Sequence, residues 1–169
     1  MRRLGVCLAL GFVLLHTPDA SAQNVRFSLA QVFGQNASAL AVPFGSVDAS
    51  CGLPPPSGVS CASDPGSGGA IWYGSLGFRI RVVGTPIPAT LRLVGVRTPG
   101  GTMPPGRLLD GPAGVPATSY PTVPAAGVTL ASAIGRGDTT VTRTIGLRVT
   151  PSDAAGVWNT AILYGLIVE

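Results

Sequence analysis

The stretch Ile71-Trp72-Tyr73-Gly74-Ser75-Leu76-Gly77-Phe78-Arg79-Ile80-Arg81-Val82-Val83 decides the fold. Leu76, Phe78, Ile80 and Val82 alternate with Ser75, Gly77, Arg79 and Arg81. A period of two is what a strand shows when one face meets a core and the other meets water. Trp72-Tyr73, at the start of the run, reads as core more readily than as an aromatic platform for a sugar.

The same period recurs on both sides. Val25, Phe27 and Leu29 alternate near the N-terminus, with a phase shift before Val32 that predicts a bulge or strand end. Leu40 to Val47 is a second candidate, and Pro43 assigns it to an edge or a bulge. Thr90 to Arg97, Val128 to Ile134 and Thr139 to Thr150 follow. In the last of these Arg143 falls on the apolar face, expected near an exposed strand beginning. Val157 to Val168 carries Trp158, Ile162, Tyr164, Leu166 and Val168 on one face and Val157, Ala161, Leu163 and Ile167 on the other. Apolar residues on both faces predict a central strand. Asp48 to Gly69 and Thr98 to Pro121 lack periodicity, are rich in Pro and Gly, and read as loops; the second is long enough to suggest a functional role. The expected architecture is all-β, one antiparallel β-sandwich, immunoglobulin-like in the broad sense, with about seven strands.

Composition agrees. Charged residues make up only 11% of the 169-residue chain, while 24 glycines and 16 prolines disfavour long helices. Apolar residues at 46% are enough to offset the entropy of ordering. The net charge of +4 is modest, and the arginines lie scattered along the sequence, so nucleic acid is not expected as a partner.

The N-terminus predicts a location. Met1-Arg2-Arg3 is basic, Leu4 to Leu15 is apolar, and Ala20-Ser21-Ala22 is a small-x-small site. This is the layout of a secretory signal peptide over residues 1–22, with cleavage between Ala22 and Gln23 and a domain over 23–169. An apolar run of about a dozen residues falls short of the ~20 that span a bilayer, so no stable membrane insertion is expected. The protein is expected to be secreted, to the periplasm, cell surface or medium. Cys51 and Cys61 would then be the only cysteines left and read as a disulfide. A metal site needs more ligands than one such pair.

Candidate chemistry is sparse. No lysine occurs, and the one histidine, His16, would leave with the leader, which removes the usual general bases. The acids are dispersed and no nucleophile or phosphate-loop motif stands out, so neither catalysis nor a cofactor is expected. Arg136-Gly137-Asp138 matches an integrin-type tripeptide, but Gly and Asp are also what a hairpin turn requires.

The C-terminal segment Ala155-Gly156-Val157-Trp158-Asn159-Thr160-Ala161-Ile162-Leu163-Tyr164-Gly165-Leu166-Ile167-Val168-Glu169 resembles the closing strand of spore-coat-U-like and archaic chaperone–usher pilus subunits. Gly156 and Trp158 stand at the glycine and aromatic positions, and Phe44-Gly45-x-Val47-Asp48 is similar to an early-strand motif of that family. Thr160 departs from it, standing where an acid is usual. The resemblance implies a non-catalytic, exported assembly subunit that associates by β-strand addition with copies of itself or a surface partner, Val25, Phe27 and Leu29 forming the donated strand. The alternative expectation is a secreted module that binds a glycan or surface polymer through the 98–121 loop and exposed aromatics.

Overall fold

The computed structural model describes residues 4–12, 24–36, 41–83, 91–121 and 127–168. Within them the chain is all-β: β1 (Leu4–Phe12), β2 (Asn24–Val32), β3 (Gln35–Asn36), β4 (Ala41–Val47), β5 (Val59–Asp64), β6 (Gly69–Val83), β7 (Leu91–Arg97), β8 (Leu108–Gly111), β9 (Thr118–Ser119), β10 (Val128–Ile134), β11 (Gly137–Val149) and β12 (Val157–Val168). The first sheet runs β10-β7-β12-β1-β4. The second runs β3-β2-β6-β11-β8-β9, with β5 also on β6. The expected cleavage point Ala22/Gln23, Leu40, Thr90 and Glu169 lie outside the described residues.

The long β6 organises the second sheet. β11 pairs along its whole length, from Gly137↔Val82 to Val149↔Ala70. On the opposite edge β2 takes the second half of β6 and β5 takes the first. Leu76, Phe78, Ile80 and Val82 are buried, and Arg79 and Arg81 between them are exposed, so the period of two is realised. The sheets share a core: the rings of Phe78 (β6) and Tyr164 (β12) lie 4.8 Å apart, and Phe33 meets Phe44 (β4) edge-on at 5.2 Å. This is the sandwich that the alternation implies.

Four sequence expectations need correction. The 48–69 segment is not all loop, because Val59–Asp64 pairs with β6. The 98–121 segment holds β8 and β9, and Leu108–Gly111 is wholly buried. β12 does not have two covered faces: Trp158, Ile162 and Tyr164 are buried, but Val157 and Val168 are 66% and 65% exposed and Ile167 is exposed as well. Its central position comes from ladders on both sides. Arg143 lies mid-strand, opposite Leu76, where its guanidinium pairs with the buried Asp110 of β8. The strand is amphipathic there because the cation has an internal partner.

Cys51 and Cys61 form a disulfide with Cα atoms 5.7 Å apart. It closes the loop that leads from β4 into β5, and Pro56 of this loop sits over Gly45. A Cβ at Gly45 would lie 2.8 Å from Pro56 Cγ, and its φ of +70° independently favours glycine. Closing a loop of this size is worth roughly 2–3 kcal/mol through the unfolded chain. Reduction is therefore expected to lower the unfolding free energy by about that amount in denaturant titrations with and without reductant. An unchanged midpoint would contradict it.

Candidate functional site

The feature that sets this sandwich apart is the seam between β4 and β12. β1 fills it, antiparallel to β4 and parallel to β12. Among the described strands this is the one parallel pairing, and β4 has no other ladder partner. Without β1, β4 would be a strand with no neighbour, although Val42, Phe44 and Val47 belong to the core. β12 would lose its ladder over Val157–Ala161, because β7 pairs only from Ile162 onward.

The register explains why residues 4–12 suit this place. Val6, Leu8, Leu10 and Phe12 stand opposite Trp158, Thr160, Ile162 and Tyr164, the buried row of β12. Leu4 and Leu8 stand opposite Val47 and Val42, buried in β4. Gly5, Cys7, Ala9 and Gly11 stand opposite the outward row Val157, Asn159, Ala161 and Leu163. The segment alternates large with small, and its large residues take the register positions opposite the buried row of β12.

In its ladder with β1, β4 bulges at Phe44: Val6 pairs with Gly45 and Cys7 with Pro43, so Phe44 is skipped. Both walls of the seam are also held by bonds that do not involve β1. Trp72 Nε1 donates to the Asp48 carbonyl at 2.8 Å, and the Asp48 carboxylate accepts from the Gly52 N–H at 3.0 Å. The disulfide loop is thereby tied to the end of β4. On the other wall, the backbone N–H groups of Thr102 and Met103 donate to the Asn159 carbonyl at 3.0 Å, and that of Thr98 donates to the Ala161 carbonyl at 2.9 Å. The 98–121 segment therefore begins by stitching β12.

Thr160, which departs from the family pattern, is buried and accepts from Arg97 Nε at 2.9 Å. The same guanidinium donates to the Met103 and Pro104 carbonyls. Burial lowers the Arg97 pKa from its usual value. A neutral hydroxyl suits this position because the cation already has two main-chain carbonyls as acceptors besides it.

The remaining sequence candidates fall elsewhere. Val25, Phe27 and Leu29, the expected donor segment, pair with Val82, Ile80 and Phe78 of the same chain and pack partly buried against its core. They cannot leave without removing a strand from the second sheet. Gly156 is exposed, just before β12. Trp72, Tyr120, Trp158 and Tyr164 are buried and Tyr73 is half-buried, so these aromatics do not form an exposed platform. Gly137 and Asp138 belong to β11, with Asp138 3.9 Å from Arg81, while Arg136 precedes the strand.

Asp110, Arg143, Tyr120 and Tyr164 make a second largely buried polar cluster. Burial raises the Asp110 pKa against the pull of Arg143, and burial raises both phenols. Among the described residues no three His, Cys, Asp or Glu side chains gather in a way that could hold a metal ion. No described helix is long and apolar enough to cross a membrane. Comparison with known proteins finds no family whose pattern matches the chain and no curated relative.

Proposed function

We propose that this protein is an exported, non-catalytic subunit of a cell-surface or extracellular assembly, and that it associates by receiving a β-strand in the seam between β4 and β12. The observation that carries the reading is the identity of the strand now in that seam. It consists of residues 4–12, which lie on the leader side of the expected Ala22/Gln23 cleavage. Once the leader departs, the seam is open and two strands of the first sheet lack a neighbour. An extended segment with large residues at alternate positions then completes the sheet, with main-chain bonds supplying affinity and alternate positions supplying register. The disulfide supports an oxidising compartment.

This reading makes the protein a strand acceptor first. Its own Val25–Leu29 segment is engaged along β6, so the incoming strand is assigned to another chain.

Purified from the exported fraction, the protein is expected by intact mass to begin at Gln23. In size-exclusion chromatography it should run as a complex that keeps its partner until denatured. A monomer beginning at Gln23 that unfolds cooperatively with no partner bound would overturn the proposal. The alternative of a glycan-binding module through residues 98–121 loses support, because that segment braces β12 and its tyrosine is buried.

A further inference from the structure

The outer face of the second sheet collects what the linear sequence disperses. Arg26 (β2) pairs directly with Arg81 (β6), which pairs with Asp138 (β11). Two residues along, Ser28 pairs with Arg79, which pairs with Thr140. Next come Gln31, Gly77 and Thr142. Arg26, Arg79 and Arg81 are all exposed, as are Ser28, Gln31, Thr140 and Thr142. Directly opposed residues have Cβ atoms about 5 Å apart, and like charges so placed repel. Residues two apart on one strand are separated by about 7 Å. Three guanidinium groups therefore converge on one patch.

Little among the described residues neutralises them. Asp64 pairs with Arg148, Asp110 with Arg143 and Asp153 with Arg107, while Asp48 accepts from Ser50 and Gly52. Asp138 approaches Arg81 only to 3.9 Å, with both side chains more than half exposed, a geometry worth little in water. Among the described residues no acid pairs with Arg26 or Arg79. Asp64, Asp110 and Asp153 are committed to arginines elsewhere and Asp48 to its own loop, which leaves the three guanidinium groups of this plate with Asp138 as their one described acidic neighbour.

We infer that this face binds an acidic polysaccharide, a polymer carrying carboxylates at regular intervals. Arginine presents a planar fork that takes a carboxylate through two parallel bonds. The hydroxyls of Ser28, Thr140 and Thr142 and the amide of Gln31 flank the cations and match sugar hydroxyls. The plate is an open sheet face, so a long polymer can cross it without an end. Its chemistry fits other polyanions less well. The plate carries no aromatic ring on which a base would stack, and no apolar fringe that would enter a lipid surface. It also faces away from the seam, so it remains available whether or not a strand has been added.

The test is titration of the protein, purified as exported, with polygalacturonate, with neutral dextran as control. Binding should weaken steeply with added salt and be absent for dextran. R79A should weaken binding about tenfold, as expected for one charge-assisted contact, and R26A/R79A/R81A should remove it. R79K/R81K should fall between wild type and the triple variant, because charge is kept and the fork is lost. Unchanged denaturant midpoints for R79A establish that the loss is local even if the triple variant folds poorly. Equal affinity in R79A and wild type, equal retention on dextran, or binding to DNA or anionic vesicles but not to polygalacturonate would each overturn the inference.

Discussion

Arg143→Ala is expected to lower the unfolding free energy by about 3–5 kcal/mol, the cost of stranding a buried charge by removing its partner. The Asp110 side chain is 2% exposed and that of Arg143 15%, and Arg143 Nε lies 3.4 Å from Asp110 Oδ1, with a closer contact through Nη2. A loss of that size is a large share of the 5–15 kcal/mol by which an ordinary domain is stable.

The pH dependence gives the prediction its sign. Burial raises the Asp110 pKa above its ordinary 3.8, and the bonds from Arg143 oppose that rise. A raised folded-state pKa favours folding fully below the unfolded value and loses that contribution as pH rises through the folded value. Removing Arg143 removes the opposing pull, so the folded-state pKa rises further. R143A should therefore be less impaired near pH 4 than near pH 7. Replacing both partners, as in D110L/R143L, should recover most of the loss, because no buried charge remains. Guanidinium titrations at the two pH values measure all of this. A loss under about 1 kcal/mol at pH 7, or the same loss at both, would contradict the internal pairing.

How much of this could be read from the chain follows from what period and composition encode. The strands with strong alternation, β6 and β11, and the edge character of β4 at Pro43 were legible, and so was the cysteine pair. β5, β8 and β9 were not, since they run for 6, 4 and 2 residues between Pro, Gly and Ser, too short for a period to show. The arginine plate was invisible for another reason. Arg26, Arg79 and Arg81 lie far apart or on one strand, and only the registers of β2, β6 and β11 bring them onto one patch. Arg143 was misplaced because its partner, Asp110, sits in a segment that reads as loop. Most instructive is Leu4 to Phe12. Sorted into apolar and polar it is a featureless run. Sorted by size it alternates, and the register of β1 uses that alternation.

The second large effect concerns this segment. A chain beginning at Gln23 lacks β1, so β4 has no strand neighbour and Val157–Ala161 of β12 has lost its ladder on that side. A nonapeptide with the sequence of Leu4–Phe12 offers five large apolar residues in the right phase, worth several kcal/mol if they are buried. A peptide of the same composition with large and small residues out of alternation offers the same hydrophobicity without the register. The most direct measurement is amide hydrogen exchange of residues 23–169 with and without each peptide. Residues 41–47 and 157–161 should exchange fast in the free domain and become protected with the alternating peptide alone, with a matching rise in melting temperature. Full protection of both segments without any peptide, unchanged by adding one, would contradict the strand-accepting seam.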